Sequence, residues 1–148
     1  MGTKNWAQGK YPALKNPAKY IGQKTPTYRS SWEWAVMNFF DTNPAVLQWA
    51  SESVKIPYRN PFTGKQTIYV PDFLVFYQDK SGSKHAELVE VKPSSQATLE
   101  AAGNSVGARQ TVILNQAKWA AATAWCKKNH IRFRVITERD IFHQGTKR

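Results

Sequence analysis

The sequence predicts an α/β domain in which helices flank one mixed central sheet, in the order α-β-β-β-α-β. Three observations predict it. Runs of apolar, β-branched and aromatic residues cluster between positions 53 and 92, separated by turn residues. A capped helical segment precedes them at 30–41. A longer helical segment, 111–129, follows and leads into one more strand-like run at 131–137.

Taken in order, residues 1–29 carry Lys4, Lys10, Lys15, Lys19, Lys24 and Arg29 without one acidic residue, and Trp6, Tyr11, Tyr20 and Tyr28 lie between them. Pro12, Pro17 and Pro26 break any long helix. The segment reads as an extended basic N-terminal arm, either a loose terminus or an arm lying on DNA or a partner protein with aromatic anchors. Residues 30–41, SSWEWAVMNFFD, read as a helix capped by Ser30, with Glu33 three residues on as in a capping box. Asn43-Pro44 and the apolar run to Trp49 suggest a turn and a brief second helix or loop.

Residues 53–58, SVKIPY, read as a strand that Pro57 assigns to an edge. NPFTGK, 60–65, is turn material. QTIYVPDFLVFY, 66–77, is the strongest strand of the chain, with Pro71 marking a bend or bulge. After the polar loop QDKSGSK comes a third strand from His85 to Lys92, stopped by Pro93. Residues 94–110, rich in Ser, Ala and Gly, form a loop or weak helix start. Residues 111–129 are helical with Val112, Gln116, Trp119, Thr123 and Cys126 on one side. IRFRVIT is the fourth strand, ERDIF a last short helix, and residues 144–148 a basic tail.

A chain of 148 residues suits one domain with a real core, and its six Trp, six Tyr and seven Phe supply the material. Lys and Arg number 21 against 10 Asp and Glu, a net of +11. Such a chain attracts polyanions, nucleic acid first and an anionic membrane surface second. The single cysteine, Cys126, excludes an intrachain disulfide and a thiolate metal cluster. His85, His130 and His143 lack metal-ligand spacing, so no zinc site is expected. No apolar run approaches the roughly 20 residues needed to span a bilayer. The start MGTKNWAQGK lacks the apolar stretch of a signal peptide and is a poor myristoylation match.

Chemistry concentrates in the second hairpin. Asp72 follows Pro71 inside an otherwise apolar strand, and Glu90 and Lys92 lie in the next strand among Leu88, Val89 and Val91. Side chains alternate along a strand, so Glu90 and Lys92 point the same way. If the strands pair antiparallel, Asp72 approaches Glu90, and two carboxylates and an ammonium meet. Such a patch suits phosphodiester hydrolysis. Mg²⁺ wants oxygen ligands and keeps several waters, so one or two carboxylates suffice. The cation also relieves the repulsion between the carboxylates, and a lysine can orient or deprotonate the attacking water. The plain alternative is ordinary charges on a half-exposed sheet. Glu87, three residues from Glu90, should face the other way and be solvated.

Pro71-Asp72 followed by Glu90-Val91-Lys92 resembles the PD-(D/E)xK nuclease signature. Around it, SSWEWAVMNFFDTNPAVLQWASESVKIPY, YVPDFLVFY and ELVEVKP resemble the endonuclease subunit of heteromeric transposases and, more closely, the head-completion nucleases of large tailed phages. The similarity spans about residues 28–137. It implies a restriction-endonuclease-like core over 30–143 and a Mg²⁺- or Mn²⁺-dependent DNA endonuclease leaving a 5′-phosphate. Asp72 and Glu90 would be metal ligands and Lys92 a catalytic residue. Glu33, on the first helix, would be a further catalytic metal ligand, although it also serves as a capping residue, and Glu52 could compete for that role. Arg29, Arg109, Gln116 and Lys118 are candidate DNA contacts or ordinary solvated residues. The phage likeness further implies action on packaged DNA, docking on portal, neck or head-completion proteins, and a place in the virion or in the host cytoplasm during assembly. A structural head or neck protein that binds DNA without cutting it, and a transposase subunit, are the alternatives.

Overall fold

Pro71 divides the strongest apolar run of the chain into two strands that belong to different sheets. Pro cannot donate to a ladder, so the pairing must break there. A computed structural model describes residues 9–11 and 14–140. Its strands are β1 (Gly9–Lys10), β2 (Thr27–Tyr28), β3 (Val46–Ser51), β4 (Ile56–Arg59), β5 (Gln66–Tyr69), β6 (Phe73–Gln78), β7 (Lys84–Val91) and β8 (Arg132–Ile136). Its α-helices are α1 (Ser31–Thr42), α2 (Leu99–Ala102) and α3 (Val106–Lys128), with 3-10 turns at Pro17–Lys19 and Ser94–Gln96.

The central sheet has the order β3-β6-β7-β8. Its first two pairings are antiparallel and the last, reached through α3, is parallel. This is the expected mixed sheet flanked by helices. β4 and β5 form a separate two-stranded hairpin, as do β1 and β2.

Three elements differ from the expectation. Residues 46–51, expected as a brief helix or loop, form β3. Buried residues crowd that strand instead of alternating, and a bulge between Val46 and Gln48 disturbs its pairing with β6, so the period-2 signal is lost. The expected strand 66–77 is β5 and β6, split at Pro71. Residues 94–110 are more ordered than expected: Thr98 and Ser105 cap α2 and α3 by accepting the Ala101 and Ala108 N–H groups. The buried face of α3 is Val112, Asn115, Ala122 and Cys126, whereas Gln116 and Thr123 are exposed.

Each sheet face carries its own core. Along β7, Val89 and Val91 pack with Val36, Met37 and Phe40 of α1 and with Trp49 and Phe73. Leu88 packs on the other face with Ile56, Tyr58, Tyr69, Ala122 and Cys126, beneath α3 and the β4–β5 hairpin. Trp49 and Phe73 meet Phe40 at ring separations of 5.7 and 5.4 Å. Burying such side chains contributes about 1.5–3 kcal/mol each.

The segment read as an extended arm is docked over its described part. Asp41, fully buried at the end of α1, accepts the backbone N–H groups of Lys15 (2.7 Å) and Asn16 (3.0 Å). Lys19 Nζ donates to the Asp41 and Asn43 carbonyls, which complements the negative end of the helix dipole. Tyr11 and Pro26 are buried, and Ile21 N–H donates to the Trp49 carbonyl along the free edge of β3. Composition left a loose terminus and a binding arm open; over the described residues one buried carboxylate ties the segment's backbone to the domain. The expectations for Lys4, Trp6, Pro12, His143, the end of the ERDIF helix and the tail 144–148 lie outside the described residues. Among those described, no helix is long and apolar enough to cross a membrane.

Two outcomes follow from this packing. Asp41→Ala should lower unfolding free energy by about 2 kcal/mol in urea titration, because two N–H groups lose a charged acceptor, and Asp41→Asn should lose less. Cys126 is buried, with its thiol pushed up to about 11. It should stay unreactive to an aromatic disulfide reagent at pH 8 until denaturant is added, and rapid labelling of the native protein would contradict its core placement.

Candidate active site

The β6–β7 ladder pairs Phe73 with Val89 and Leu74 with Leu88. Carried one residue further, that register sets Asp72 opposite Glu90, on one face of the sheet. The two carboxylates replace the ladder where it ends: Glu90 Oε1 accepts the Asp72 N–H at 3.2 Å, and Asp72 Oδ2 accepts the Val91 N–H at 2.8 Å. Each is therefore held by the backbone of the other's strand. Lys92 follows on the same face, its Nζ 3.6 Å from Glu90 Oε2. Its own N–H donates to the Ile136 carbonyl at 2.9 Å, so β8 fixes the root of the side chain.

Glu33 lies in the first turn of α1. Its N–H donates to the Ser30 cap and its Oε1 accepts the Arg29 N–H at 3.0 Å, which bears out the capping role. The same carboxylate also interacts electrostatically with Asp72 and Glu90. Glu52 borders the site as well. Its N–H donates to the Asp72 carbonyl at 2.9 Å and its carboxylate pairs with Arg29. Its backbone sits in the left-handed region at φ 52°, an uncommon state for a side-chain-bearing residue and one that clusters at functional sites.

The electrostatics are those of crowded, buried anions. Burial, then the charges of Glu90 and Glu33, pushes the Asp72 carboxyl well above its ordinary range, against the pull of the Val91 N–H and Lys92. Burial also raises Glu90, opposed first by Lys92. Glu33 is raised by burial and by Glu90, and lowered by Arg29 and Lys92. Among the described residues no three His, Cys, Asp or Glu side chains close into a compact metal cage. The arrangement is an open one of hard oxygen donors whose mutual repulsion a divalent cation would relieve, and in that sense the residues fit such an ion.

Three neighbours escaped the sequence reading of the site. Tyr69, at the end of β5, is buried, and its hydroxyl lies near Glu90 and the Trp119 indole N–H. Neither contact has hydrogen-bond geometry, so the Tyr69 hydroxyl and the Trp119 N–H are buried polar atoms left unpartnered beside Glu90. Lys118, expected only as a DNA contact, stands over the Tyr69 ring at 5.8 Å. Burial and then the charge of Lys92 lower its pKa, while Glu90 raises it. No local pattern announces this group, because it forms only when α3 packs on β4, β5 and β7.

The other candidates are dispersed. Arg29 is engaged by Glu52. Arg109 donates to the Gly103 carbonyl at 3.1 Å and so braces the turn after α2. Gln116 is exposed on α3. Glu87 does face away from Glu90, but it is buried rather than solvated: it accepts the Tyr77 hydroxyl at 2.7 Å and lies about 4 Å from Arg132 and Arg134. A hollow of about 650 Å³ lined by Phe39, Val75, Glu87 and Arg134 opens on that opposite face and contains none of the four candidate residues. The carboxylate corner, not the roomier hollow, brings the candidate residues together.

Two comparisons bear on this geometry. Residues 43–138 match the family model described as TnsA-like endonuclease N terminal, more than half of the chain. The chain is also 33% identical over 141 residues to the head completion nuclease of Enterobacteria phage T4, covering 90% of this chain and 93% of that protein.

The crowding has a measurable consequence. A carboxylate whose folded pKa is raised stabilises the fold below its unfolded pKa and loses that contribution as pH rises through the folded value. In chelator, stability should therefore fall as pH rises above the ordinary carboxylate range. Asp72→Asn, which can still accept the Val91 N–H, should flatten that fall and melt higher at pH 8 by at least about 1 kcal/mol, roughly 2–4 °C. A D72N variant with the pH profile of the parent would mean that Asp72 is not a stressed anion.

Proposed function

The chain belongs to the TnsA-like endonuclease family, and on that premise we propose that it hydrolyses phosphodiester bonds in DNA with a divalent metal ion, Mg²⁺ or Mn²⁺. One observation carries the reading: Asp72 and Glu90 face each other at the end of the β6–β7 ladder with the Lys92 ammonium beside Glu90.

Asp72 and Glu90 are the proposed metal ligands, and Glu33 assists from α1. When bound, the ion supplies charge neutralisation at the phosphate and acidifies water. The reciprocal backbone bonds hold the two carboxylates in place before substrate arrives, which is the preorganisation that efficient electrostatic catalysis needs. The Lys92 ammonium donates to the attacking water and so orients it, and it offsets charge on the phosphate. Glu90, close to that ammonium, keeps it directed to the same corner. Glu52 pairs with the Arg29 guanidinium, while the Arg29 N–H is bonded to Glu33, so one cation is kept beside the site. Cleavage in this reading leaves a 5′-phosphate.

The relative from phage T4 is named a head completion nuclease, and the match covers nearly all of both chains. We infer a corresponding role: a phage enzyme acting on packaged DNA or its end as the head is completed, docked on portal or neck proteins, in the virion or in the host cytoplasm during assembly.

Purified protein incubated with linear and supercoiled DNA tests the chemistry. Cleavage should require Mg²⁺ or Mn²⁺, stop with EDTA, and drop at least about 100-fold in Asp72→Ala, Glu90→Ala and Lys92→Ala. Glu33→Gln should lose activity with little change in melting temperature. DNA retention without cutting under either metal would instead describe a structural DNA-binding protein.

A further inference from the structure

We propose that the β4–β5 hairpin engages duplex DNA beside the scissile phosphate, with Lys55 and Lys65 on the phosphate backbone and Phe62 as an apolar wedge. The inference rests on the reading of the chain as a DNA nuclease and adds the element that seats the substrate.

The hairpin has two unlike faces. Ile56, Tyr58 and Tyr69 point inward and are buried with Ala122 and Cys126 of α3. The outward face, set by the pairs Pro57 with Ile68 and Arg59 with Gln66, is exposed. Ile68 is 53% exposed, Val70 37% and Phe62, at the tip, 52%. Exposed apolar groups this close together on a small domain mark a contact surface. Between residues 53 and 71 there is no acidic residue, whereas Lys55, Arg59 and Lys65 are all present. A surface that combines cations with bulky apolar groups and excludes carboxylates is complementary to DNA, which offers phosphates outside and base faces within.

The tip is built to hold its shape. Asn60 Oδ1 accepts the N–H groups of Phe62 (2.8 Å) and Thr63 (3.2 Å). The Asn60 N–H donates to the Lys65 carbonyl at 2.9 Å, and Gly64 takes a φ of 72°, which favours glycine. Arg59 Nη1 donates to the Gly64 carbonyl at 2.6 Å. Phe62 is thus presented on a turn whose backbone is already braced, which lowers the cost of ordering on contact. A two-stranded ribbon also has dimensions that a DNA groove admits. The location agrees: β5 ends at Tyr69 beside Glu90, and Asp72 is three residues on, within roughly 10 Å along the chain.

Binding to a 30-base-pair duplex in EDTA, followed by fluorescence anisotropy across a salt series, separates this inference from the reading it rests on. Lys55→Gln with Lys65→Gln should weaken binding roughly 10-fold and reduce the slope of log affinity against log salt by about two. Phe62→Ser should abolish the fluorescence rise of a 2-aminopurine base unstacked in the bound duplex, with an unchanged melting temperature, since its side chain supports no core. Hairpin variants that bind with the parental slope and the parental 2-aminopurine signal would overturn the inference, leaving the face to a protein partner. A parent that binds through the hairpin but never cuts would instead overturn the nuclease reading alone.

Discussion

Asp72 and Glu90 each accept a backbone N–H from the strand that carries the other, and the candidate site exists because of that exchange. Pro71 ends the regular ladder by removing a donor. Without a substitute, the Asp72 and Val91 N–H groups would be unpaired in a half-buried corner, which is costly. The carboxylates are the substitute. They extend the β6–β7 pairing past the proline, and the same bonds aim them at one place. β7 is the right strand to carry this corner. It lies between β6 and β8, and both its faces are covered, so Glu90 and the root of Lys92 have little freedom.

The corner is maintained against its own electrostatics. Three carboxylates are pushed toward the neutral form by burial, Asp72 and Glu33 also by the charge of Glu90, with Lys92 and Arg29 compensating. Glu52 adds a left-handed backbone immediately beside them. Crowded buried charge and a left-handed backbone meet at this corner, the pattern expected when a site is kept for chemistry at the expense of stability. The two cores on either side of the sheet, with aromatic packing on Trp49 and the Asp41 anchor, supply the surplus that permits it.

How much of this was legible depended on how local each signal is. Asp72, Glu90 and Lys92 could be read because strand alternation is arithmetic over neighbouring residues and Pro71 marks where the ladder must change. The α1 cap was readable for the same reason: Ser30 and Glu33 are one turn apart. The arrival of Tyr69, Lys118 and Trp119 required the packing of α3 on a hairpin fifty residues earlier, which no short pattern encodes. β3 was missed because an irregular edge strand with a bulge loses its period. Glu87 was read as solvated because the register that brings Arg132 and Arg134 beside it belongs to a parallel pairing across α3. The docking of the N-terminal segment was not legible because its lysines advertise an outside anion, while the anion that holds its backbone is Asp41, a single residue at the far end of a helix.

That last point extends to the whole charge distribution. The chain has ten acidic residues, and nearly all are occupied with the protein itself. Asp41, Asp79, Glu33, Glu138 and Asp140 accept backbone N–H groups. Asp72 and Glu90 tie two strands together, Glu52 holds Arg29, Glu87 takes the Tyr77 hydroxyl, and Glu100 lies in the first turn of α2. The lysines and arginines are differently disposed, most of the described ones lying in solvent. An acid used as a hydrogen-bond acceptor has its charge blunted by the dipoles it meets, whether buried like Asp41 or exposed like Asp79, whereas an exposed lysine projects its field outward. The net of +11 therefore describes the outer surface better than the molecule as a whole. A polyanion approaching it meets attraction almost everywhere, so attraction alone cannot position the substrate. In the proposed reading, position comes from shape and from the half-buried corner where Asp72, Glu90 and Glu33 gather, which a phosphate would approach with a cation between them.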